Sequence, residues 1–189
     1  MIRVGILGDI GSGKSYVAKQ FGFPVFNADV EVAKLYKRDK KIFNKFKKTL
    51  PKYFNKFPIK KEEVLKAILG NNKNLKKIVK IVHFEIRKKM EIFLKKNNNK
   101  KIIILDIPLL LENNINKKRD ILVYVHSQKS NILKRLKKRP NYNKRVIRRF
   151  RNIQLPLDYK KKKSQFMIKN NFTNKYVKIQ IKGILKEIL

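Results

Sequence analysis

Short apolar blocks along the chain, separated by longer amphipathic stretches, predict five strands. They are Ile2–Leu7, Val25–Asn27, Lys101–Asp106, Ile121–Val125 and Phe166–Ile168. Within the third block, Ile102 to Leu105 contains no polar residue, which is typical of a parallel strand covered on both faces. Between the blocks, apolar residues recur at steps of three and four, as in helices that pack on a core. The pattern therefore predicts an α/β fold.

The longest helical pattern runs from about Asn74 to Lys95, and another ends the chain from Val177 to Ile188. No convincing strand occurs between residues of about 30 and 99, where helical patterns are interrupted at Pro51, Pro58 and Gly70. Because this stretch is too long for a simple crossover, we expect a helical insertion that covers the sheet edge and holds a substrate.

A second segment, at about 137–152, follows a helix and is rich in arginine. Its composition and place predict a mobile basic lid.

The high net charge says less about function than its size suggests. The 189 residues include 50 Lys+Arg and 13 Asp+Glu, for a formal net charge of +37, which attracts polyanions. The basic residues are spread along the whole chain and occur with Asn and Ile tracts, so a codon bias toward A and T explains them better than a specific nucleic-acid role does. We expect one domain over residues 1–189.

The chain has no cysteine, which excludes disulfides, a thiolate zinc site and a cysteine nucleophile. Its N-terminal apolar run is too short for a signal peptide or a membrane span. We therefore expect a cytoplasmic protein without membrane association.

The strongest motif is the phosphate-loop pattern GDIGSGKS at Gly8–Ser15, which fits G-x-x-x-x-G-K-[ST] at every defined position. It follows the first strand and precedes a helical pattern. Its glycines let successive N–H groups point at phosphate oxygens, Lys14 is expected to reach the β- and γ-phosphates, and Ser15 to bind Mg²⁺. The motif predicts a nucleotide user and leaves the acceptor open.

Two acids follow predicted strands. Asp29 comes just after the second strand and Asp106 ends the third, and ligands of parallel sheets bind at that edge. Asp29 can accept a hydroxyl proton or cap the helix that follows. Asp106 can support Mg²⁺ or serve as a turn or cap residue.

Together these residues resemble the dephospho-CoA kinase family over nearly the whole chain. Besides the phosphate loop, the resemblance rests on the Ala28-Asp29 pair, on His83 after a helical pattern, on D-x-P-L-L-x-E at Asp106–Glu112, and on Gln154-Leu155-Pro156 before Ile168-Lys169-Asn170. It implies a three-layer P-loop kinase fold with a five-stranded parallel sheet, a helical substrate-binding insertion and a lid.

The resemblance also implies an activity that uses Mg²⁺, namely transfer of the γ-phosphate of ATP to the ribose 3′-hydroxyl of dephospho-CoA, the last step of coenzyme A synthesis. Separately, we expect a monomer. The implied catalytic residues are Asp29, Lys14 and Arg139, with Arg135 also at the lid. The implied metal ligands are Ser15 and Asp106. ATP would contact Gly8, Gly11, Ser12, Gly13, Lys14, Ser15, Tyr16 and Asn170. Dephospho-CoA would contact Asp29, His83, Arg87, Asp106, Pro108, Leu109 and Glu112.

Two other functions remain open on the residues alone. One is another P-loop small-molecule or nucleoside kinase, and the other is a basic nucleic-acid-binding ATPase. The aromatic residues interleaved with lysine near residues 43–57 could stack on bases, but packing within the insertion is the favoured interpretation.

The chain also departs from the family pattern. Asp9 stands where the family usually has glycine, Tyr16 where it has threonine, and Phe84 where it has proline. We expect the Asp9 side chain to point outward, and His83 can equally be a half-buried helix residue bonded to a backbone carbonyl.

Overall fold

The computed structural model describes residues 1–140 and 142–189. Its strands are β1 (Ile2–Gly8), β2 (Val25–Asn27), β3 (Ile102–Asp106), β4 (Ile121–His126) and β5 (Phe166–Lys169). They form one parallel sheet in the order β2-β3-β1-β4-β5. The five predicted strands are confirmed, with each bound within one residue. This order places the end of β1, where the phosphate loop begins, between the ends of β3 and β4.

Helices occupy the intervening segments. They are α1 (Lys14–Gln20), α2 (Ala28–Arg38), α3 (Lys40–Thr49), α4 (Lys61–Gly70), α5 (Asn72–Lys96), α6 (Lys129–Lys137), α7 (Lys144–Asn152), α8 (Leu157–Lys163) and α9 (Asn174–Ile188). The two longest helical patterns of the sequence correspond to α5 and α9. Across residues 1–140 and 142–189, no helix combines the length and the hydrophobicity needed to cross a bilayer.

The chain divides into two compact units. The first, which we call the sheet unit, comprises Met1–Asn27, Leu94–Tyr142 and Leu155–Leu189, and the second, the helical unit, comprises Ala28–Phe93 and Asn143–Gln154. The α/β class is confirmed by the sheet unit. The helical unit takes in α2, α3 and α4, most of α5, and α7 from much later in the chain.

The core of the sheet unit lies between β1 and two helices. Val4 and Ile6 of β1 are fully buried in one cluster with Val17 of α1 and Val177 of α9. Burying such a side chain fully contributes about 1.5–3 kcal/mol. Because side chains alternate along a strand, these residues fix which face of β1 meets α1 and α9.

Gly5 lies on the opposite face of β1, and its missing side chain matters. A Cβ there would lie 2.5 Å from Leu110 Cδ2 and 2.9 Å from Leu122 Cδ2, closer than packed atoms approach. Leu110 is fully buried. Gly5 therefore lets the segment that follows β3 fold back onto the sheet.

The helical unit has its own core of aromatic residues. Phe46 and Phe54 are fully buried, with ring centroids 4.7 Å apart, and Tyr36 meets Phe46 edge to face at 5.7 Å. These rings pack against one another, as favoured from the sequence. Helix α7 contacts α4 in the same unit, and Asn143 caps its first turn by accepting from the Val146 N–H at 3.1 Å.

Candidate active site

The phosphate loop turns sharply between β1 and α1. Gly8, Gly11 and Gly13 have φ angles of 145°, 86° and 88°, which side-chain-bearing residues rarely adopt. At Gly13 space is also lacking, because a Cβ would collide with Asn170 Nδ2 and crowd Phe172 Cε1. The glycine spacing recognised in the sequence is thus a requirement of this backbone.

Lys14 lies across the loop that precedes it. Its Nζ donates to the Asp9 carbonyl oxygen at 2.8 Å and to the Gly8 carbonyl oxygen at 3.2 Å. These bonds hold a positive charge beside the loop. Ser12 adds a second feature, because its Oγ is buried and has no hydrogen-bond partner among the residues that the structure describes. The loop therefore combines an ammonium group with a buried hydroxyl that is able to donate.

Ser15 and Asp106 meet at the same edge of the sheet. Ser15 lies close enough to Asp106 for its hydroxyl to lower the pKa of that carboxyl, and the Asn27 amide donates to Asp106 Oδ2 at 2.5 Å. Burial raises the pKa of Asp106, and the hydrogen bonds from Ser15 and Asn27 and the charge of Lys14 oppose this rise only in part. A hydroxyl and a carboxylate thus lie near each other where the carboxyl ends of β2 and β3 approach the phosphate loop.

Asp9 interacts with the loop itself. Its Oδ1 accepts a hydrogen bond from the Ile10 N–H at 2.7 Å, so one amide of the loop is directed toward this carboxylate. Its charge also reaches β4, since the pKa of Tyr124 is raised first by burial and then by the negative charges of Asp9 and Asp158. The Asp9 carboxylate therefore competes with a bound anion for the Ile10 N–H.

Asn170 supports the loop from behind. Its Nδ2 donates to the Ser12 carbonyl oxygen at 2.9 Å, and its Oδ1 accepts from the Phe172 N–H at 2.9 Å. The hydroxyl of Ser127 lies 2.9 Å from the same Ser12 oxygen. The sequence predicts Asn170 at ATP, and it gives no indication of Ser127, because a single serine after a strand carries no signal.

The end of α6 brings Arg135 close to the loop. The Arg135 guanidinium lies 4.2 Å from the centroid of the Phe172 ring, and Phe172 has a φ of 66°. Arg139 is exposed in the turn after α6, where its N–H donates to the Leu136 carbonyl oxygen at 3.1 Å. Tyr16 is half-buried and packs against the core.

Glu112 is the last residue of the segment that begins at Asp106. Its Oε1 lies 2.6 Å from Lys160 Nζ and accepts from the Leu155 N–H at 3.0 Å, while Lys160 is only 1% exposed. Glu112 Oε2 is buried without a partner among the described residues. Pro108 and Leu109, predicted with Glu112 for the acceptor, are half-buried in the same segment.

The burial of Lys160 could not be predicted from the sequence. It begins the run Lys160–Lys163, in which its three neighbours are exposed. Nothing in the composition of the run indicates which lysine is buried.

The helical unit carries the other predicted residues. Asp29 is exposed in the first turn of α2, and its charge, after burial, raises the pKa of Tyr36. On α5, Arg87 Nε donates to His83 Nε2 at 3.3 Å. Burial first, and then the Arg87 charge, lower the pKa of His83, which favours the neutral imidazole. His83 is half-buried and bonds Arg87 through its side chain.

A parallel sheet whose central strand leads into a phosphate loop, with an acid from the adjacent strand β3 near the loop serine, is the arrangement of P-loop nucleotide-binding proteins. The protein TT1252 from Thermus thermophilus has the same fold, with a TM-score of 0.76 at 23% identity over 100% of this chain and 98% of that one. A dephospho-CoA kinase from Campylobacter jejuni aligns with a TM-score of 0.57 at 21% identity, over 98% and 96% of the two chains.

The sequence itself is more specific than the fold. The model of the dephospho-CoA kinase family matches residues 2–175. A dephospho-CoA kinase from Wolbachia sp. subsp. Brugia malayi is 32% identical over 98% of this chain and 97% of its own length. The chain therefore belongs to the dephospho-CoA kinase family, and the resemblance inferred from its motifs is confirmed.

Proposed function

We propose that this protein transfers the γ-phosphate of ATP to the ribose 3′-hydroxyl of dephospho-CoA, giving coenzyme A and ADP. The observation that carries the proposal is a complete phosphate loop with the Lys14 ammonium lying across it and the Asp106 carboxylate held by Asn27 at the same edge of the sheet. Family membership supplies the acceptor. Phosphoryl transfer depends mainly on positioning and charge neutralisation, which this arrangement of residues supplies.

The residues fit Mg²⁺. A hydroxyl and a carboxylate oxygen are hard ligands, and Mg²⁺ typically binds one or two such protein groups while phosphates and water complete its shell. Ser15 and Asp106 would hold the ion. When bound, it neutralises charge on the β- and γ-phosphates. The Asn27 amide keeps the Asp106 carboxylate facing Ser15 by its own hydrogen bond.

Each remaining role follows from a side chain of this chain. Lys14 would exchange its loop carbonyls for phosphate oxygens, and the Ser12 hydroxyl would donate to a phosphate. Asp29 would accept the proton of the attacking hydroxyl. Arg139, in a lid at about 137–152, would neutralise charge on the phosphates, as guanidinium groups do through paired N–H donors. Arg87 and the neutral His83 would bind the acceptor.

The test is an acceptor comparison. The purified protein with Mg²⁺ and ATP is given dephospho-CoA, adenosine, gluconate or no acceptor, and the release of ADP and the phosphorylated product are measured. We expect turnover with dephospho-CoA and little with the others. Equal or faster turnover with adenosine or gluconate would favour another small-molecule kinase, and acceptor-independent release would indicate an ATPase.

We also propose that the protein acts as a monomer and that its charge serves no specific nucleic-acid recognition. Binding to duplex DNA is expected to be weak, independent of sequence and lost with added salt, as counterion release predicts. Tight, sequence-dependent binding at physiological salt would contradict this part of the proposal.

A further inference from the structure

Two donors from neighbouring strand ends converge on one carbonyl oxygen of the phosphate loop. Asn170, just after β5, donates from Nδ2 to the Ser12 oxygen at 2.9 Å. Ser127, just after β4, has its Oγ 2.9 Å from that oxygen and 3.0 Å from the Asn170 carbonyl oxygen, so its single hydrogen is shared between these two acceptors. Ser12, Ser127 and Asn170 are 1%, 7% and 3% exposed. Bulk water therefore does not compete for these bonds.

The direction of this carbonyl determines the direction of the next amide. The Ser12–Gly13 peptide bond is trans, and in a planar trans peptide the C=O and N–H point in opposite directions. When the Ser12 oxygen is held toward β4 and β5, the Gly13 N–H must point away from them, into the loop. Within residues 1–140 and 142–189, this N–H donates to no backbone carbonyl.

Gly13 makes such a restraint necessary. With no side chain, glycine moves readily between backbone conformations, so the peptide before it can rotate when nothing holds it. A rotated peptide would place a carbonyl oxygen, which repels phosphate, where an amide hydrogen should be. The sequence of the loop supplies flexibility, and residues far along the chain remove it at this one peptide.

We propose that Ser127, together with Asn170, is a positioning residue that orients the Gly13 N–H toward the phosphates of the bound nucleotide. Ser127 contacts no nucleotide itself and acts through the Ser12 carbonyl. The inference rests on the proposed triphosphate site and is independent of which acceptor the protein uses. It gives the Asn170 side chain a role in the loop, since both ends of its amide are bonded to protein.

The experiment compares Ser127→Ala with Ser164→Ala. Ser164 is a matched control, because its hydroxyl also donates to a backbone oxygen, that of Lys160, at 2.9 Å in the same unit but away from the loop. Each protein is titrated with inorganic tripolyphosphate and with ATP by calorimetry. The Gly13 amide is followed in ¹H–¹⁵N spectra during the tripolyphosphate titration, and thermal melting checks that the variants are folded.

For Ser127→Ala we expect affinity for both probes to fall by a similar factor of roughly fivefold, the equivalent of about 1 kcal/mol for one hydrogen bond. The Gly13 resonance should shift less at saturation than in the wild type. The KM for ATP should rise while the KM for the acceptor stays the same. Ser164→Ala should leave all of these values unchanged. Ser127→Cys, with a weaker donor of similar size, should fall between serine and alanine.

Unchanged tripolyphosphate affinity and an unchanged Gly13 shift in Ser127→Ala would overturn the proposal. An equal loss in Ser164→Ala would also overturn it, since the effect would then be general. If Ser127→Ala does not fold, Ser127→Cys decides by the same criteria. Failure of the wild type to bind tripolyphosphate or ATP would overturn the triphosphate site itself, whereas binding without phosphorylation of dephospho-CoA would overturn only the assigned acceptor.

Discussion

Asn27 and Asp106 lie opposite each other at the carboxyl ends of the adjacent strands β2 and β3, and the amide of Asn27 donates to the carboxylate of Asp106. Ser15 lies beside the same carboxyl and lowers its pKa. The end of β2 is thereby tied to the proposed metal side of the phosphate loop. Asp29, the proposed base, follows Asn27 by two residues in the chain.

Replacing Asp29 separates chemistry from nucleotide binding. Asp29→Asn is expected to retain ATP affinity and to lower kcat by roughly 10²–10⁴, the usual contribution of a general base. Lys14→Ala should impair both quantities. Asp39→Asn is the control within the helical unit, because Asp39 caps α3 through its Oδ1 and asparagine caps equally well. A normal rate in Asp29→Asn would remove this residue from the mechanism.

The contribution of Asp106 to the free energy of unfolding should fall as the pH rises. Because burial raises its pKa in the folded protein, the folded state holds the proton more tightly than the unfolded state does. The contribution of Asp106 is therefore most favourable below its unfolded pKa of 3.8, and it declines as pH rises through the raised folded value. We expect the stability of Asp106→Asn, relative to wild type, to increase from pH 3 to pH 7.

Urea unfolding of both proteins across this pH range measures that difference, with Asp158→Asn, an exposed acid on α8, as control. Asp106→Asn should also lose the stabilisation that Mg²⁺ and ATP together give the wild type. A relative stability that falls with pH would contradict the assigned direction of the pKa shift.

Asp9 is expected to weaken anion binding. Its carboxylate accepts from the Ile10 N–H and places a negative charge beside the phosphates. Asp9→Asn should increase tripolyphosphate affinity, and Asp9→Ala, which also releases the amide, should increase it further, within roughly tenfold. Asp158→Asn removes the other charge that acts on Tyr124 without touching the loop, and it should leave the affinity unchanged. Weaker binding in both Asp9 variants would refute the idea.

Lys160 should be essential for stability despite its place in a lysine run. Lys160→Met leaves Glu112 charged and buried without its partner, which typically costs about 3–5 kcal/mol. Lys161→Met, at the exposed next position, should change stability by less than about 0.5 kcal/mol. Denaturant unfolding of the two variants gives the comparison. Equal stabilities would mean that the ion pair contributes nothing.

The sequence predicted the five strands and the longest helices because continuous apolar runs and the helical period are local signals. The phosphate loop was equally predictable from the sequence, since glycine is required at the positions where its backbone adopts positive φ angles. The supporting contacts were not predictable. Ser127 acts across 115 residues on Ser12, and Lys160 meets Glu112 48 residues away. Such pairs depend on how strands are ordered, and single residues in a loop or a lysine run carry no trace of that order.

Gly5 makes a buried position in the middle of the sheet important for function. Any larger residue there would push Leu110 outward, and Leu110 lies between Asp106 and Glu112 in the chain. Both contacts are with the ends of leucine side chains, so a larger residue would first move the Leu110 side chain, within the segment that joins the acid to the ion pair. Substitutions at Gly5 would thus lower turnover for a purely steric reason. In a mutational scan of activity, this position would group with the residues that bind phosphate.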